Sequence, residues 1–577
     1  MYKRNQGHLQ MPLMSQLDAL SDKRRKELEG SWAGAFYREF FSRLDEDNFA
    51  ELYSEKPSRP NIPVNVLVGF EVLKAGFGYS DEEMYAAYNY DMQVRYAFGY
   101  RNLGEGEFEL RTIHNFRRRL VETMQETGVN LIEKAFEQVT DEQAEVFQLK
   151  SGKLRMDSTQ IASNMREMSR LQLLVEVLQR VQRMLSEEDQ EHYKEDFKPY
   201  LKGSSGQYVY RIKGEEVADH LRPIGELMHR LIQELRDDYE QEPTYQMLVR
   251  VFQEHFTLDD EDDLRPRKGR ELSAGSLQSP DDWEATYRCK RNEDYQGYVA
   301  NLTETCDSEN KFQLINKVQV EPNNTEDADM LEQALPDLKE RTGVEQIHTD
   351  GGYGSSEVDK AMRKAKVEQI QTAIRGRKPS EEKLGLEDFD WEIDEDGKPQ
   401  EVICPHGQSV EVQPGGNDHR YLAYFDSVVC CACPFLDQCS TEPLKRKPRH
   451  VLRFSQGETD LALRRKRSAD VRATGENLRA GAESMVRSVK HPFRNGKLPV
   501  RGKPRVSMMV IASAAMTNIR RIQRYQEKLR EEKRKAREAQ KQVQDAIRNV
   551  FISFWSALQC GLFRKFDSKM AAVRLTI

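Results

Sequence analysis

The spacing of apolar positions divides the chain into stretches of helical and of strand period. Over Asn61–Leu73 apolar residues recur at helical spacing. Ser80-Asp-Glu-Glu83 is a capping box that opens a second helix through Met84, Tyr85 and Tyr88. A third begins near Thr112, with Ile113, Phe116 and Leu120 on one side and Arg117, Arg118 and Arg119 beside them. Residues 1–145 are therefore expected to form a helical domain. A basic final helix suits a DNA-reading module, and equally a plain packing domain with a solvated arginine cluster.

Strand character starts at Leu154-Arg-Met-Asp157, a short stretch closed by an acid. A long helical pattern follows over about 166–275, clearest at Leu171–Leu185 and Ile224–Leu235. Strand runs return at Tyr295–Thr305 and Phe312–Val320. After them come a turn at Pro322–Thr325, a helix over Glu326–Leu338, a strand over Val344–Asp350, a helix over Ser355–Lys366 and a strand over Val367–Ala373. This order predicts an α/β fold. Its mixed sheet lies in 146–165 and 283–377, and a helical insertion at 166–282 interrupts it.

A break near Arg375–Ser380 leads into a polar, Cys-rich insertion, 378–455, with little apolar material for a core. Helix resumes near Thr459, within 456–503. Val506–Ala546 reads as one long helix of a C-terminal arm, 504–577. Its apolar spacing at Ile519, Ile522, Leu529, Ala536, Val543 and Ile547 is compatible with a coiled-coil seam. Gln526, Lys533 and Gln540 fall on the same seam, so a solvated arm stands beside a dimer contact.

At 577 residues the chain is too long for one core. Charged residues at 32% and a mean hydropathy of −0.78 predict a soluble protein with long solvated helices. The apolar run Phe551–Phe563 is too short to span a bilayer, and the N-terminus lacks the apolar core of a secretory signal. A cytoplasmic protein with no membrane role is expected. The net charge of −8 argues mildly against nucleic acid, but its distribution does not. Residues 441–506 hold 18 basic against 6 acidic side chains, while acidic runs lie at Asp259–Asp263 and around Glu387–Asp396. Binding phosphate needs a positive face rather than a positive total. The arginines at 117–119, Lys445, Arg446 and Lys447, Arg464–Arg467, and Arg479, Arg487 and Lys490 are the expected DNA-facing cations.

Three separated acids carry the chemistry. Asp157 and Asp350 close strand-like stretches, and Asp350 precedes Gly351-Gly352, which allow a sharp turn. Glu483 lies on a helical pattern with Arg479, Arg487 and Lys490 at i−4, i+4 and i+7, all within one stripe. Two aspartates and a glutamate can hold two Mg²⁺ ions that clamp both oxygens of an in-line phosphoryl displacement. Each acid also has an ordinary reading, as a turn cap or a surface ion pair.

Five cysteines crowd into Cys404–Cys439. Cys430 and Cys433 have the spacing of a tetrahedral pair, and Cys404 and Cys439 complete four thiolates for a structural Zn²⁺, with His406 or Cys431 as substitutes. Reduced thiols in a loop are the alternative.

Several stretches together resemble the bacterial insertion-sequence transposases of the DDE class, and more narrowly the insertion-sequence group numbered eleven eighty-two. They are Met156-Asp-Ser-Thr-Gln-Ile161, Ala285-Thr-Tyr-Arg288, Tyr295-Gln-Gly-Tyr-Val299, Val318-Gln-Val-Glu-Pro-Asn-Asn324 and Thr349-Asp-Gly-Gly-Tyr-Gly354. The resemblance extends to about residue 525. It implies an RNase H-like core in which Asp157, Asp350 and Glu483 bind two Mg²⁺ ions. Glu483 matches the glutamate of a Tyr-x₂-Arg-x₃-Glu-x₆-Lys pattern whose Arg and Lys are Arg479 and Lys490; its Tyr position holds Glu476. Asp470 and Glu476 are the rival third acids.

The implied reaction is hydrolysis at the element's end, followed by attack of the freed 3′-hydroxyl on target DNA. The implied partners are double-stranded DNA, as terminal inverted repeats and target, and a second copy of the chain, because two ends must be cut together. A nucleoid-associated location in a bacterial cytoplasm follows. A DNA-binding protein that no longer cuts, or a nuclease on the same core, are the other readings.

Overall fold

A computed structural model describes residues 1–574 apart from 11, 55, 57–58, 259–262, 291, 375–381, 395, 417–418 and 475–476. The acidic run at 259–262, the break at 375–380 and Glu476 thus lie outside the described residues.

The N-terminal region is helical: α1 (Asp22–Gly30), α2 (Trp32–Phe36), α3 (Val64–Phe77), α4 (Asp81–Tyr90), α5 (Met92–Ala97), α6 (Leu110–Thr127) and α7 (Leu131–Val146). Helix α3 is buried almost all round, so it carries few polar residues, and it stops at Gly78 with φ +70°. The capping box is present on α4: the Glu83 amide donates to Ser80 Oγ and the Ser80 amide to Glu83 Oε2.

The central sheet begins with β1 (Lys153–Ile161). An all-helical stretch follows, of α8 (Arg170–Met184), α9 (Glu187–His192), α10 (Lys194–Phe197), α11 (Ser205–Tyr210), α12 (Val217–Glu234), α13 (Arg236–Tyr239) and α14 (Pro243–His255). It has its own core around Leu174, Leu178, Ile224, Met228, Leu248 and Val251. The strands β2 (Phe256–Leu258) and β3 (Leu264–Pro266) pair antiparallel beside it, which the helical pattern did not predict.

The chain then returns to the sheet through β4 (Thr286–Lys290), β5 (Glu293–Thr305) and β6 (Ile315–Pro322). Next come α15 (Asp327–Thr342), β7 (Gln346–Thr349), α16 (Ser356–Ala365) and β8 (Glu368–Gln371). Strand β1 is central, antiparallel to β5 on one side and parallel to β7 on the other, and β8 extends the parallel edge. Beyond β5, β4 pairs with its first half and β6 with its second. Leu154 and Met156 of β1 pack beneath α15 and α16, so the odd-numbered residues of the strand point to the opposite face.

The Cys-rich segment differs from expectation. It contains β9 (Asp390–Ile393), β10 (Pro399–Ile403), β11 (Ser409–Pro414), β12 (Arg420–Asp426), α17 (Ser427–Cys431), β13 (Glu442–Pro443) and β14 (Arg449–Ser455). The six strands form one antiparallel sheet around a core of Phe389, Val402, Ala423, Phe425, Leu452 and Phe454. Three of the strands supply this core, with Phe389 just before β9, so the segment reads as polar yet still buries a centre.

Three helices complete the chain: α18 (Gln456–Thr474), α19 (Ala482–Lys490) and α20 (Lys503–Arg574). The first five turns of α20 are buried between the N-terminal helices and the sheet; Val506, Ile511, Met516, Ile519 and Ile522 are all core residues. Two residues of the expected coiled-coil seam, Ile519 and Ile522, are therefore used inside the chain. Val543 and Ile547 are exposed. No helix among the described residues is long and apolar enough to cross a membrane.

One buried carboxylate ties these parts together. Glu304 on β5 is fully buried and lies directly across from Arg155 on β1. Arg155 Nε donates to one of its oxygens at 2.6 Å, and Arg521 of α20 donates to the other. Removing one partner of such a set leaves an uncompensated buried charge. The variant Glu304→Ala is expected to lose roughly 3–5 kcal/mol in urea denaturation. A loss below about 1 kcal/mol would show that the two arginines find water instead.

Candidate active site

Asp157 was expected to close a strand. It sits instead in the middle of one, because β1 runs on through Ser158, Thr159 and Gln160, paired residue for residue with β5. Pairing with β5 fixes its backbone, while the parallel ladder to β7 ends two residues earlier, at Arg155. Asp350 does follow the end of β7. Its Oδ1 accepts the Gly352 amide at 2.7 Å, capping a short 3-10 turn over Gly351–Tyr353. Neither glycine of that turn adopts a positive φ, so the freedom expected of them is not used.

Tyr353 fixes the loop from below. Its ring is fully buried and its hydroxyl donates to Asn301 Oδ1 at 2.7 Å. Burial raises its pKa far above the ordinary tyrosine value, and the negative charges of Asp327, Asp157 and Asp350 add to the effect. The phenol therefore stays neutral beneath the acids.

Arg479 brings the two aspartates together. It lies in a 3-10 turn over Leu478–Gly481, just before α19. Its Nη2 is 3.1 Å from Asp157 Oδ1 and 3.9 Å from Asp350 Oδ2. Burial pushes the Asp157 carboxyl above the usual aspartate range; Arg479 opposes that shift and repulsion from Asp350 reinforces it. Arg155 places the turn, since its Nη1 donates to the Leu478 carbonyl at 2.8 Å. Sequence reading missed Arg155 and Glu304. The available signal was an ionisable residue in each of two facing strands, at positions that pairing buries.

Helix α19 lies along β1. Ala482, Met485 and Val489 are buried, and Lys490 Nζ donates to the Gln160 carbonyl at 2.9 Å and to Thr159 Oγ1 at 3.3 Å. Lys490 thus clamps the helix to the strand that carries Asp157. Glu483, seven residues earlier and on the same stripe, is exposed and has no ion pair with Arg479 or Arg487 among the described residues. Asp470, near the end of α18, is exposed too.

Among the described residues no three His, Cys, Asp or Glu side chains are grouped to hold an ion. The pair Asp157 and Asp350 nevertheless offers oxygen donors alone and already has a positive group between its members. Oxygen donors are the ligands a hard divalent cation selects.

The expected DNA-facing cations divide into two kinds. Arg117 is half-buried and forks onto Glu71 and Asp81 with four hydrogen bonds, so its donors hold α6 to α3 and α4. Arg119 stacks over Tyr53, and Arg118 is exposed with only a loose contact to Glu122. In α18, Arg464 and Arg467 pair with Asp359, Arg465 with Glu387 and Lys466 with Asp390. Lys445, Arg446 and Lys447 lie fully open on the turn between β13 and β14. Arg487 is exposed on α19.

The cysteines converge in part. Cys404, Cys430, Cys433 and Cys439 line one small cavity together with His406. Burial, and then the neighbouring thiols Cys439, Cys404, Cys433 and Cys431, push the Cys430 thiol up to about 11. The Gln408 and Phe435 amides point at the sulfurs of Cys404 and Cys433. Cys431 is exposed and does not line the cavity.

Two family models match the chain. One, described as a transposase DDE domain, covers residues 403–523; the other, described as a transposase domain (DUF772), covers residues 23–119. The first spans the cysteines, Arg479 and Glu483 but neither Asp157 nor Asp350. Comparison with curated proteins and with solved structures gave no match. The matched stretches lie toward the two ends of the chain and both models describe transposase domains, which supports an insertion-sequence transposase of the DDE class.

Proposed function

We propose that this transposase cuts DNA at the ends of its own element and joins the freed ends to a target, with Asp157, Asp350 and Glu483 as the catalytic acids. The observation that carries the reading is the placement of Arg479 against both aspartates, on the turn that leads directly into the helix of Glu483. Asp157 on the rigid centre of the sheet and Asp350 on a capped turn would hold Mg²⁺, with Glu483 reaching over from the stripe of α19 that Lys490 shares. When bound, the ions supply charge stabilisation for the attacking and leaving oxygens of the phosphodiester.

The chain's own groups position the site. Glu304 orients Arg155, Arg155 holds the turn at Leu478, and that turn presents Arg479. On this reading Arg479 neutralises the two carboxylates until ions and DNA replace it, and then serves a phosphate. A central strand flanked antiparallel on one side and parallel on the other supports an RNase H-like core. The substrate is double-stranded DNA carrying the element's terminal repeats. A homodimer matches the need to cut two ends, and exposed Arg118, Lys445, Arg446, Lys447 and Arg487 are the cations we assign to DNA.

A second proposal concerns zinc. Cys404, Cys430, Cys433 and Cys439 share one cavity, and backbone amides directed at two of the sulfurs would stabilise thiolates there. A structural Zn²⁺ would tie the turn after β10 to α17 and the loop before β13.

DNA from both flanks of the coding region, incubated with the protein and Mg²⁺, should be cut at a defined boundary. Asp157→Asn, Asp350→Asn and Glu483→Gln should each reduce cutting on the order of a thousandfold or more while still binding the DNA. Undiminished cutting by Glu483→Gln would move the third acid to Asp470 or Glu476, and cutting without joining of a labelled 3′-hydroxyl end would make the protein a nuclease.

For the cysteines, native mass spectrometry should find one zinc per chain in the wild type and none in Cys430→Ser/Cys433→Ser, whose melting temperature should fall. A metal-free wild type with the same melting temperature in the presence of chelator would sink the zinc assignment.

A further inference from the structure

A second charged feature lies where α19 faces α20. Ser484, Arg487, Ser488 and His491 occupy positions i, i+3, i+4 and i+7 of one helix and the residue after its end. Thr517, Arg520, Arg521 and Arg524 occupy the same four positions on α20. The two stripes face each other across a cleft of about 270 Å³, and among the described residues no acid lines it.

Four guanidinium groups around one cleft repel each other unless something neutralises them. Arg521 is neutralised from within, by buried Glu304. Arg520 is anchored by a hydrogen bond to the Gly76 carbonyl and by stacking over Phe77, neither of which carries negative charge. Burial lowers its pKa, and the nearby charge of Arg524 lowers it further. Arg487 and Arg524 are exposed, and neither has an ion pair among the described residues. The hydroxyls of Ser488 and Thr517 donate to carbonyls of their own helices, at 2.7 and 2.9 Å, so the free donors of the cleft are mainly its arginines. The free protein thus holds three uncompensated cations in one place.

The dimensions select among anions. Seven residues of helix advance roughly 10 Å. That length exceeds one phosphate and suits a short run of successive phosphates along one DNA strand. A single phosphate would leave most of the stripe unused. The cleft also starts at Ser484, the residue after Glu483, and its floor is linked through Arg521, Glu304 and Arg155 to the turn that carries Arg479.

We propose that the cleft between α19 and α20 is a DNA-backbone site in which Arg487, Arg520 and Arg524 grip successive phosphates of the strand leading into the acid site. This assignment rests on the transposase reading and adds to it a place on the protein for the DNA strand. Because α19 contributes to both sites, a strand held in the cleft is aligned with Glu483.

The test measures binding of labelled duplex DNA to the full-length protein by fluorescence anisotropy, in chelator so that nothing is cut, over a series of KCl concentrations. The double variant Arg487→Gln/Arg524→Gln should bind more weakly. Its plot of log affinity against log salt should be shallower by about two, near one for each phosphate that an arginine no longer holds. Both side chains are exposed, so folding should survive. Ser484→Glu, which places a negative charge in the cleft without removing an arginine, should weaken binding in the same direction.

Unchanged slope and affinity in both variants, with a wild type that binds and cuts DNA, would overturn the cleft and leave the transposase reading standing. A wild type that binds no duplex would overturn both. Inorganic phosphate provides the remaining arm. If it raised the melting temperature of the wild type but not of the double variant, while the DNA slopes coincided, the cleft would be a free-anion site and the proposal wrong.

Discussion

A carboxylate with no exposure to solvent, Glu304, fixes the relation between the sheet and the helices that complete the site. Burying it alone would be prohibitive, and the structure meets it with one guanidinium from each side. Arg155 comes from the neighbouring strand and Arg521 from α20. Those two arginines extend the constraint outward. Arg155 continues to the backbone of the turn at Leu478, and Arg521 to the Gln313 carbonyl and the wall of the basic cleft. A displacement of α20 relative to β5 would therefore be felt at Arg479, and through it at both aspartates. Hydrophobic burial along Val506–Ile522 holds α20 in place but is tolerant of small slips. The charge network is not, because its hydrogen bonds have direction.

Helix α19 gathers the consequences because its three sides serve three purposes. Ala482, Met485 and Val489 face the core. The stripe of Glu483 and Lys490 runs along β1, where Lys490 is bonded to Thr159 and Gln160. The stripe of Ser484, Arg487 and Ser488 opens on the cleft. A helix of nine residues has room for no more. This explains why its sequence looks merely amphipathic and charged: nearly every position is already assigned to a neighbour.

Much of the architecture was legible in the chain. Helical periodicity found α3, α4, α6, α15, α16 and α20, and the strand runs of β5 and β7 were plain. The misreadings have physical causes. The end of β1 was hidden because Ser158, Thr159 and Gln160 are polar, so a strand looked finished at Asp157, although Thr159 Oγ1 and the Gln160 carbonyl both accept from Lys490. The Cys-rich segment looked empty of core because its centre is made by Phe389 and a few residues of β10, β12 and β14, while the other three strands bury none. Arg117 looked like a surface cation because its partners, Glu71 and Asp81, are 46 and 36 residues away in sequence. Pairings of that kind are set by tertiary contact, and local pattern carries no trace of them. The candidate acids themselves were visible only through motif context. What the residues alone did not reveal was that one arginine would hold two of them.

That arrangement has an electrostatic logic. Burial raises the pKa of Asp157 and the negative charge of Asp350 raises it further, while Arg479 opposes both from a 3-10 turn rather than from a regular helix or strand. A short turn can shift with less disruption than a strand in a paired sheet. The guanidinium is also bulky and singly charged, so a divalent ion concentrates more charge in less space between the same oxygens. On the proposed reading Asp157 and Asp350 would hold the ions, and Arg479 would then be free to turn elsewhere. A DNA phosphate provides that destination. Ion binding and DNA binding would then reinforce each other without any large rearrangement of the sheet, because the group that moves belongs to neither the strand of Asp157 nor the turn of Asp350.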